Sequence, residues 1–256
     1  MASVDLNCDM GESFGPWRMG DDAAVLPHVT SANIACGFHA GDPTTMAHTI
    51  REAMRNGVAI GAHPGLPDLV GFGRRNMDVS RDEVYDMVLY QVTAIGGVAR
   101  AHGATLAHVK PHGALYNMAA RSADLADAIA RAVHDYDAGL VLFGLAGSEL
   151  LRAAEARGLA TASEVFADRG YMPDGSLVPR SRPDAMVTDE AQAIARAVRM
   201  TREGRVTAVD GTDVAVRADT ICIHGDGPHA VPFARGLRAA LEREGVTVRA
   251  PRRVGA

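Results

Sequence analysis

Lysine occurs once in this chain of 256 residues, at Lys110, although Lys and Arg together number 26. Every other cation is arginine, whose planar guanidinium stays charged, whereas lysine offers a compact ammonium that can also give up its proton. A position that keeps lysine in such a chain is a candidate for stabilising charge at a reacting atom. Lys110 sits in His108-Val-Lys-Pro-His112-Gly, with an imidazole two residues to either side. Other segments have the same character. In Asp5-Leu-Asn7-Cys-Asp9-Met-Gly-Glu12, period-two alternation puts Asp5, Asn7 and Asp9 on one face of a strand, and such a face is costly to bury without partners. Asn33 precedes Gly37-Phe-His39-Ala-Gly-Asp42, and Gly61-Ala-His63-Pro-Gly65 brings a further imidazole. Glu164 leads to Asp168-Arg169, and His224-Gly-Asp226 is the last such segment. Carboxylates, imidazoles and one ammonium are the groups of general acid–base catalysis and oxyanion stabilisation.

These segments need elements to position them. Short apolar and β-branched runs near 3–8, 31–36, 58–63, 105–110, 139–145, 161–166, 220–224 and 246–250 read as strands, separated by helical patterns. This alternation predicts seven or eight β/α units around a parallel sheet, in one domain spanning 1–256. Asp42-Pro43 opens a helix that closes at Gly57, and Ser80 with Glu83 forms a capping box opening the longest helix, which ends at Gly103. Residues 205–217, two alternating runs around Asp210-Gly211, predict an inserted β-hairpin. The stretch 168–187 is too long for a simple βα connection and is expected to be functional. In a parallel β/α barrel the C-terminal strand ends converge on one mouth. Six of the predicted strands deliver an acid, base or cation there. The helix opened by Asp42 offers an N-terminus that can hold an anion, although Asp42 itself reads most simply as its cap.

Composition excludes several functions. The formal charge of −5, the 5% aromatic content and the lack of a basic tract argue against a nucleic-acid groove. No export signal and no long apolar span is visible, so a soluble cytoplasmic protein is expected. Cys8, Cys36 and Cys222, odd in number and far apart, read as reduced core thiols. A Walker phosphate loop needs Gly-Lys before Ser or Thr, and the one lysine precedes Pro111. His108 and His112 have H-x-x-x-H spacing, but Pro111 opposes the helix that would align them. No residues are assigned to a metal, and a divalent-ion requirement stays an open alternative. His48, His102 and His134 read as surface or capping residues.

The blocks Asp5–Ser13, Ala32–Asp42, Gly61–Gly65, Gly71-Phe-Gly-Arg-Arg75, His108–Asn117, Glu164–Arg169 and His224–Asp226 together resemble the LamB/YcsF family. The resemblance runs from Asp5 to about Val246. It implies an irregular seven-stranded (β/α) barrel of polysaccharide-deacetylase type. It also implies a hydrolase role in ATP-dependent opening of 5-oxoproline (pyroglutamate) to L-glutamate, with ATP held largely by two partner subunits, B and C. One departure is Leu66, where an aromatic residue, often Tyr, is expected as a stacking contact on the rim.

On this resemblance Lys110 stabilises charge on the carbonyl or phosphoryl oxygens, His63 or His112 serves as acid or base, and Asp9 activates water. Asn7, Glu12, Asp168 and Arg169 orient the substrate, Arg169 by bidentate contact with a carboxylate. Asn33, His39, Glu164 and His224 complete the expected binding set. Two alternatives are a stand-alone metal-dependent amidohydrolase or deacetylase, and a noncatalytic subunit that binds a small acid.

Overall fold

The computed structural model describes residues 2–223 and 230–254. Its first strand, β1 (Ser3–Met10), is followed by a short helix, α1 (Asp22–Val25). Three β/α units come next: β2 (Ser31–Ala35) with α2 (Pro43–Arg55), β3 (Ala59–His63) with α3 (Arg81–Ala101), and β4 (His108–Val109) with α4 (Gly113–Ala119) and α5 (Ala123–Tyr136). Then come β5 (Val141–Leu145), α6 (Glu149–Ala156), β6 (Ala160–Phe166) and α7 (Glu190–Glu203). The strands β7 (Arg205–Thr207) and β8 (Asp213–Ala215) precede β9 (Thr220–Ile223), α8 (Ala230–Arg243) and β10 (Thr247–Val248).

Strands β1 to β6 and β9 form a closed seven-stranded parallel barrel, because β1 pairs with both β2 and β9. β10 adds an eighth strand beside the start of β1, with Ser3 opposite Thr247. The expected hairpin is present as β7 and β8, an antiparallel pair outside the barrel. β4 is shorter than the predicted 105–110. Lys110 still donates its N–H to Ala62 O at 3.0 Å and His112 its N–H to Pro64 O at 2.8 Å, so backbone contact with the β3 segment runs on past Pro111. β10 is likewise shorter than 246–250.

The main hydrophobic core fills the layer between barrel and helices. Leu6 and Cys8 of β1, Ile34 of β2 and Val165 of β6 belong to it, as do Val88, Val92 and Ile95 of α3 and Ile129 of α5. The interior differs from the branched aliphatic filling usual in such barrels. A small apolar cluster of Val141, Phe143 and Ala162 occupies part of it, and Asp5, Asn7, Ser31, Asn33, His108, Glu164 and Thr220 are all buried. The alternation of β1 fixes this: the residues between its outward-facing apolar ones are Asp5, Asn7 and Asp9.

Helix ends follow their caps. Ser80 and Glu83 make the capping box that opens α3, and Asp42 accepts from Thr44 N and Thr45 N at the start of α2. The second oxygen of Asp42 accepts from Gly15 N at 2.9 Å. The N-terminus considered for an anion is therefore filled by the chain's own carboxylate. Leu66 is fully buried in the core rather than on the rim, which removes the expected stacking contact. No helix among the described residues is long and apolar enough to cross a membrane.

Candidate active site

The site is built on a hydrogen-bond network that climbs the barrel interior. At its base the Asp5 carboxylate accepts from Ser31 Oγ at 2.7 Å and Thr220 Oγ1 at 2.6 Å. Burial outweighs these donors and pushes its pKa up to about 6. Above it Asn7 Nδ2 donates to Thr220 Oγ1 at 2.7 Å and to Glu164 Oε1 at 3.0 Å. Asn33 Nδ2 donates to Asn7 Oδ1 at 2.7 Å and Asp9 Oδ1 at 2.9 Å. His108 Nε2 donates to Asn33 Oδ1 at 2.7 Å, and the ring lies stacked on Phe143. A Cβ at Gly61 would come within 2.1 Å of that nitrogen, so glycine is needed opposite His108. Burial holds His108 down at about 3, a neutral ring that serves the lumen.

Lys110 tops the network. Its ammonium donates to Asp9 Oδ1 at 2.9 Å, Asn7 Oδ1 at 3.1 Å and Cys222 Sγ at 3.2 Å, and lies 2.9 Å from Glu164 Oε1. Burial alone would lower its pKa, but Asp9, Cys222 and Glu164 overcome that and hold it well above the usual range. Asp9 shows the converse. Burial would raise its pKa, yet His63 and Lys110 hold it well below the usual carboxylate value. The floor thus presents a fixed ammonium beside a fixed carboxylate. Cys222 is more than the core thiol the sequence suggests, because it accepts from the lysine.

Beside this pair stand three imidazoles. His63 Nε2 is 3.3 Å from Asp9 Oδ2 and 2.9 Å from His112 Nδ1. His39 stacks on His112 with centroids 3.7 Å apart and planes within 3°. Glu12 Oε1 lies 3.2 Å from His39 Nε2 and 3.5 Å from His112 Nδ1. Gly73 lets the rings pack. Its φ is +62°, and a Cβ there would meet His39 Cβ at 2.7 Å and His112 Cδ2 at 2.9 Å.

Above the floor opens a cavity of about 500 Å³. Asp9, His63, Lys110 and His112, the four expected catalytic residues, all line it. Its walls carry Arg74, Arg121, Arg169 and Arg180, making a basic surround suited to an anion. Of the expected binding residues that the structure describes, only Arg169 reaches the cavity, and not as a bidentate clamp. Its Nη2 donates to Val178 O at 2.7 Å and its Nε to Ala185 O at 3.2 Å, so these two donors pin the loop after β6. Asn7, Asn33 and Glu164 lie fully buried beneath Lys110, while Glu12 and His39 touch the imidazoles. Asp168 does not line the cavity, and its carbonyl accepts from Val187 N at 2.8 Å. His224 lies outside the described residues. Arg74, Arg121 and Arg180 are absent from the sequence-based set. In a chain with so many arginines, only the Gly71–Arg75 block and the long loop after β6 drew attention to two of them.

Glu12, His39, His63 and His112 could each offer one ligand atom to a metal, all within 4.8 Å of one another. Their geometry does not fit a coordination set. An imidazole binds an ion in its own ring plane, and the parallel rings of His39 and His112 cannot both aim at one point. Both nitrogens of His112 are also engaged, with His63 and with Phe72 O.

A model of the LamB/YcsF family matches residues 4–256. The 5-oxoprolinase A subunit of Bordetella pertussis is 62% identical over 248 residues, covering 97% of this chain and 98% of its own length. That of Geobacillus kaustophilus is 59% identical over 253 residues, covering 99% and 98%. Among solved structures, the lactam utilization protein from Thermus thermophilus superposes with a TM-score of 0.92 at 51% identity, covering 97% of this chain and all of that one.

Proposed function

The chain belongs to the LamB/YcsF family, and from that premise we propose that it hydrolyses a lactam, opening 5-oxoproline to L-glutamate as the A subunit of an ATP-dependent 5-oxoprolinase. The observation that carries the reading is the floor of the cavity, where a buried ammonium and a carboxylate stand 2.9 Å apart beneath arginine-bearing walls. The names of relatives at about 60% identity and of the superposing lactam utilization protein point to the same substrate class.

A five-membered lactam is a resonance-stabilised amide and a poor electrophile. Opening it requires charge stabilisation on the carbonyl oxygen, a base for water and an acid for the departing nitrogen. Lys110 supplies the first, already oriented by Asn7, Asp9 and Glu164, and so needs no reorganisation as charge develops. Asp9, held ionised, supplies the second. The imidazoles supply the third. The arginines Arg74, Arg121 and Arg180 suit the substrate carboxylate, and a cavity of about 500 Å³ also has room for a phosphoryl group on the carbonyl oxygen. Activation by ATP fits assembly with partner subunits B and C, because the chain has no Walker motif.

The test is Lys110→Arg in the assembled enzyme. A guanidinium cannot occupy the ammonium's position against Asn7, Asp9, Glu164 and Cys222 at once, so glutamate release should fall by roughly 10²- to 10³-fold. Full activity with arginine would remove Lys110 from the reaction.

A further inference from the structure

The hydrogen bonds of His63 and His112 fix their proton count. His63 Nδ1 lies 2.7 Å from Lys110 O, and His112 Nε2 lies 2.8 Å from Phe72 O. A carbonyl oxygen only accepts, so each of these outer nitrogens carries a hydrogen. Between the rings, His63 Nε2 and His112 Nδ1 are 2.9 Å apart. Two bare lone pairs at that distance repel, so one hydrogen lies between them. Three hydrogens on two imidazoles is one more than two neutral rings hold.

The surroundings agree with that charge. Asp9 Oδ2 approaches the inner nitrogen of His63 at 3.3 Å, and Glu12 Oε1 approaches that of His112 at 3.5 Å. Two carboxylates, one from β1 and one from the loop after it, therefore flank the shared hydrogen. The other groups facing the pair are Lys110 beyond β4, Arg74 in the loop after β3, and His39 in the loop after β2. Burial, then His112 and His63, hold His39 well below its usual pKa, so it faces them as a neutral ring. A second proton is refused: burial, and then the charge of His63, push His112 down to about 3.

We infer that His63 and His112 hold a single proton between them and act as one acid, which protonates the ring nitrogen as the lactam opens. The catalytic role rests on the lactam-opening reading, while the sharing of the proton does not. In the step, the oxygen of water bonds to the carbonyl carbon and its proton passes to Asp9. The carbon–nitrogen bond then breaks, its electron pair stays on nitrogen, and nitrogen takes the proton of the imidazole pair. Asp9, 3.3 Å from His63 Nε2, returns its new proton to the pair and restores the starting state. This step consumes one water; in the ATP-dependent reaction the phosphoryl group that activates the carbonyl oxygen stays on the resulting carboxyl group and leaves as phosphate on attack by a second water.

The test is a nuclear magnetic resonance titration of the full chain, ¹⁵N-labelled at histidine, without partners or lactam, from about pH 5 to about pH 9. One extra proton shared by the two rings, lost in a single joint step, is expected. Two rings that stay neutral throughout, or that each take up a full proton in separate steps, would overturn the inference. A second measurement uses His112→Asn, which removes one ring of the pair. Glutamate release by the assembled variant should fall by roughly 10²- to 10⁴-fold, and release within about twofold of wild type would contradict the acid role. The two readings fail separately. No glutamate from the wild-type assembly would end the lactam reading but leave the titration to decide the proton, and neutral rings would do the reverse.

Discussion

Lys110 shows how much of a residue's chemistry comes from what lies beneath it. A lone ammonium at this depth would lose its proton; Asp9, Cys222 and Glu164 keep it charged, and the hydrogen bonds to Asn7 and Asp9 hold it in place. Arg74 plays a different part, because it stands in the cavity wall with its guanidinium 4.9 Å from the Phe72 ring centroid and touches no residue of the floor network. On the proposed reading it holds the substrate anion alike before and during reaction. Arg74→Gln is therefore expected to raise KM for the lactam about tenfold with kcat within about twofold, as loss of one charge-assisted hydrogen bond would. A fall in kcat alone would place Arg74 in the chemistry instead. The strand-end rule was enough to bring Asp9, His63, Lys110 and His112 into view from sequence. It could not give depth: alternation says that Asn7 and Asn33 face inward, not that they lie under the lysine. Nor could it show that two donors of Arg169 are committed to loop carbonyls.

Strands and caps were the most legible elements. Strand positions follow from short apolar runs, and the α2 and α3 starts from Asp42-Pro43 and the Ser80–Glu83 box. β4 falls short of its predicted span chiefly at its start, where the run Thr105-Leu-Ala107 precedes the paired residues His108 and Val109. Less visible was how the strands sum to a polar lumen, since each carries only one or two polar residues. Asp5 marks the consequence. Its folded pKa is raised to about 6 from 3.8, so stability is fully present below about pH 3.8 and is lost as pH rises through 6. The difference amounts to about 3 kcal/mol. Asp5→Asn removes that dependence, with a pH-independent offset from reorienting the Thr220 hydroxyl. Relative to wild type, the variant should gain about 2 kcal/mol in denaturant unfolding between about pH 4 and about pH 7. A wild-type-to-variant difference that is flat across this range would show that Asp5 is not held against ionisation.

At the scale of the whole molecule, closure of the barrel through β1 and β9 gathers the carboxylates of β1 and β6, the ammonium after β4 and the imidazoles after β2, β3 and β4 at one mouth. The resemblance carried by seven sequence blocks anticipated this architecture, because the described blocks, Gly71–Arg75 apart, fall at or just beyond a barrel strand, while His224–Asp226 lies outside the described residues. Activation of the substrate is a different matter: nothing in the sequence resembles a phosphate loop, and the proposed reading places that chemistry on partner subunits. The most direct measurement is glutamate release from 5-oxoproline by this chain alone and with subunits B and C, each with and without ATP, the ATP-free arms repeated with a chelator. Release only from the full assembly with ATP is the predicted result. ATP-independent, chelator-sensitive release by the lone chain would contradict the account and make the mouth a metal-dependent hydrolase.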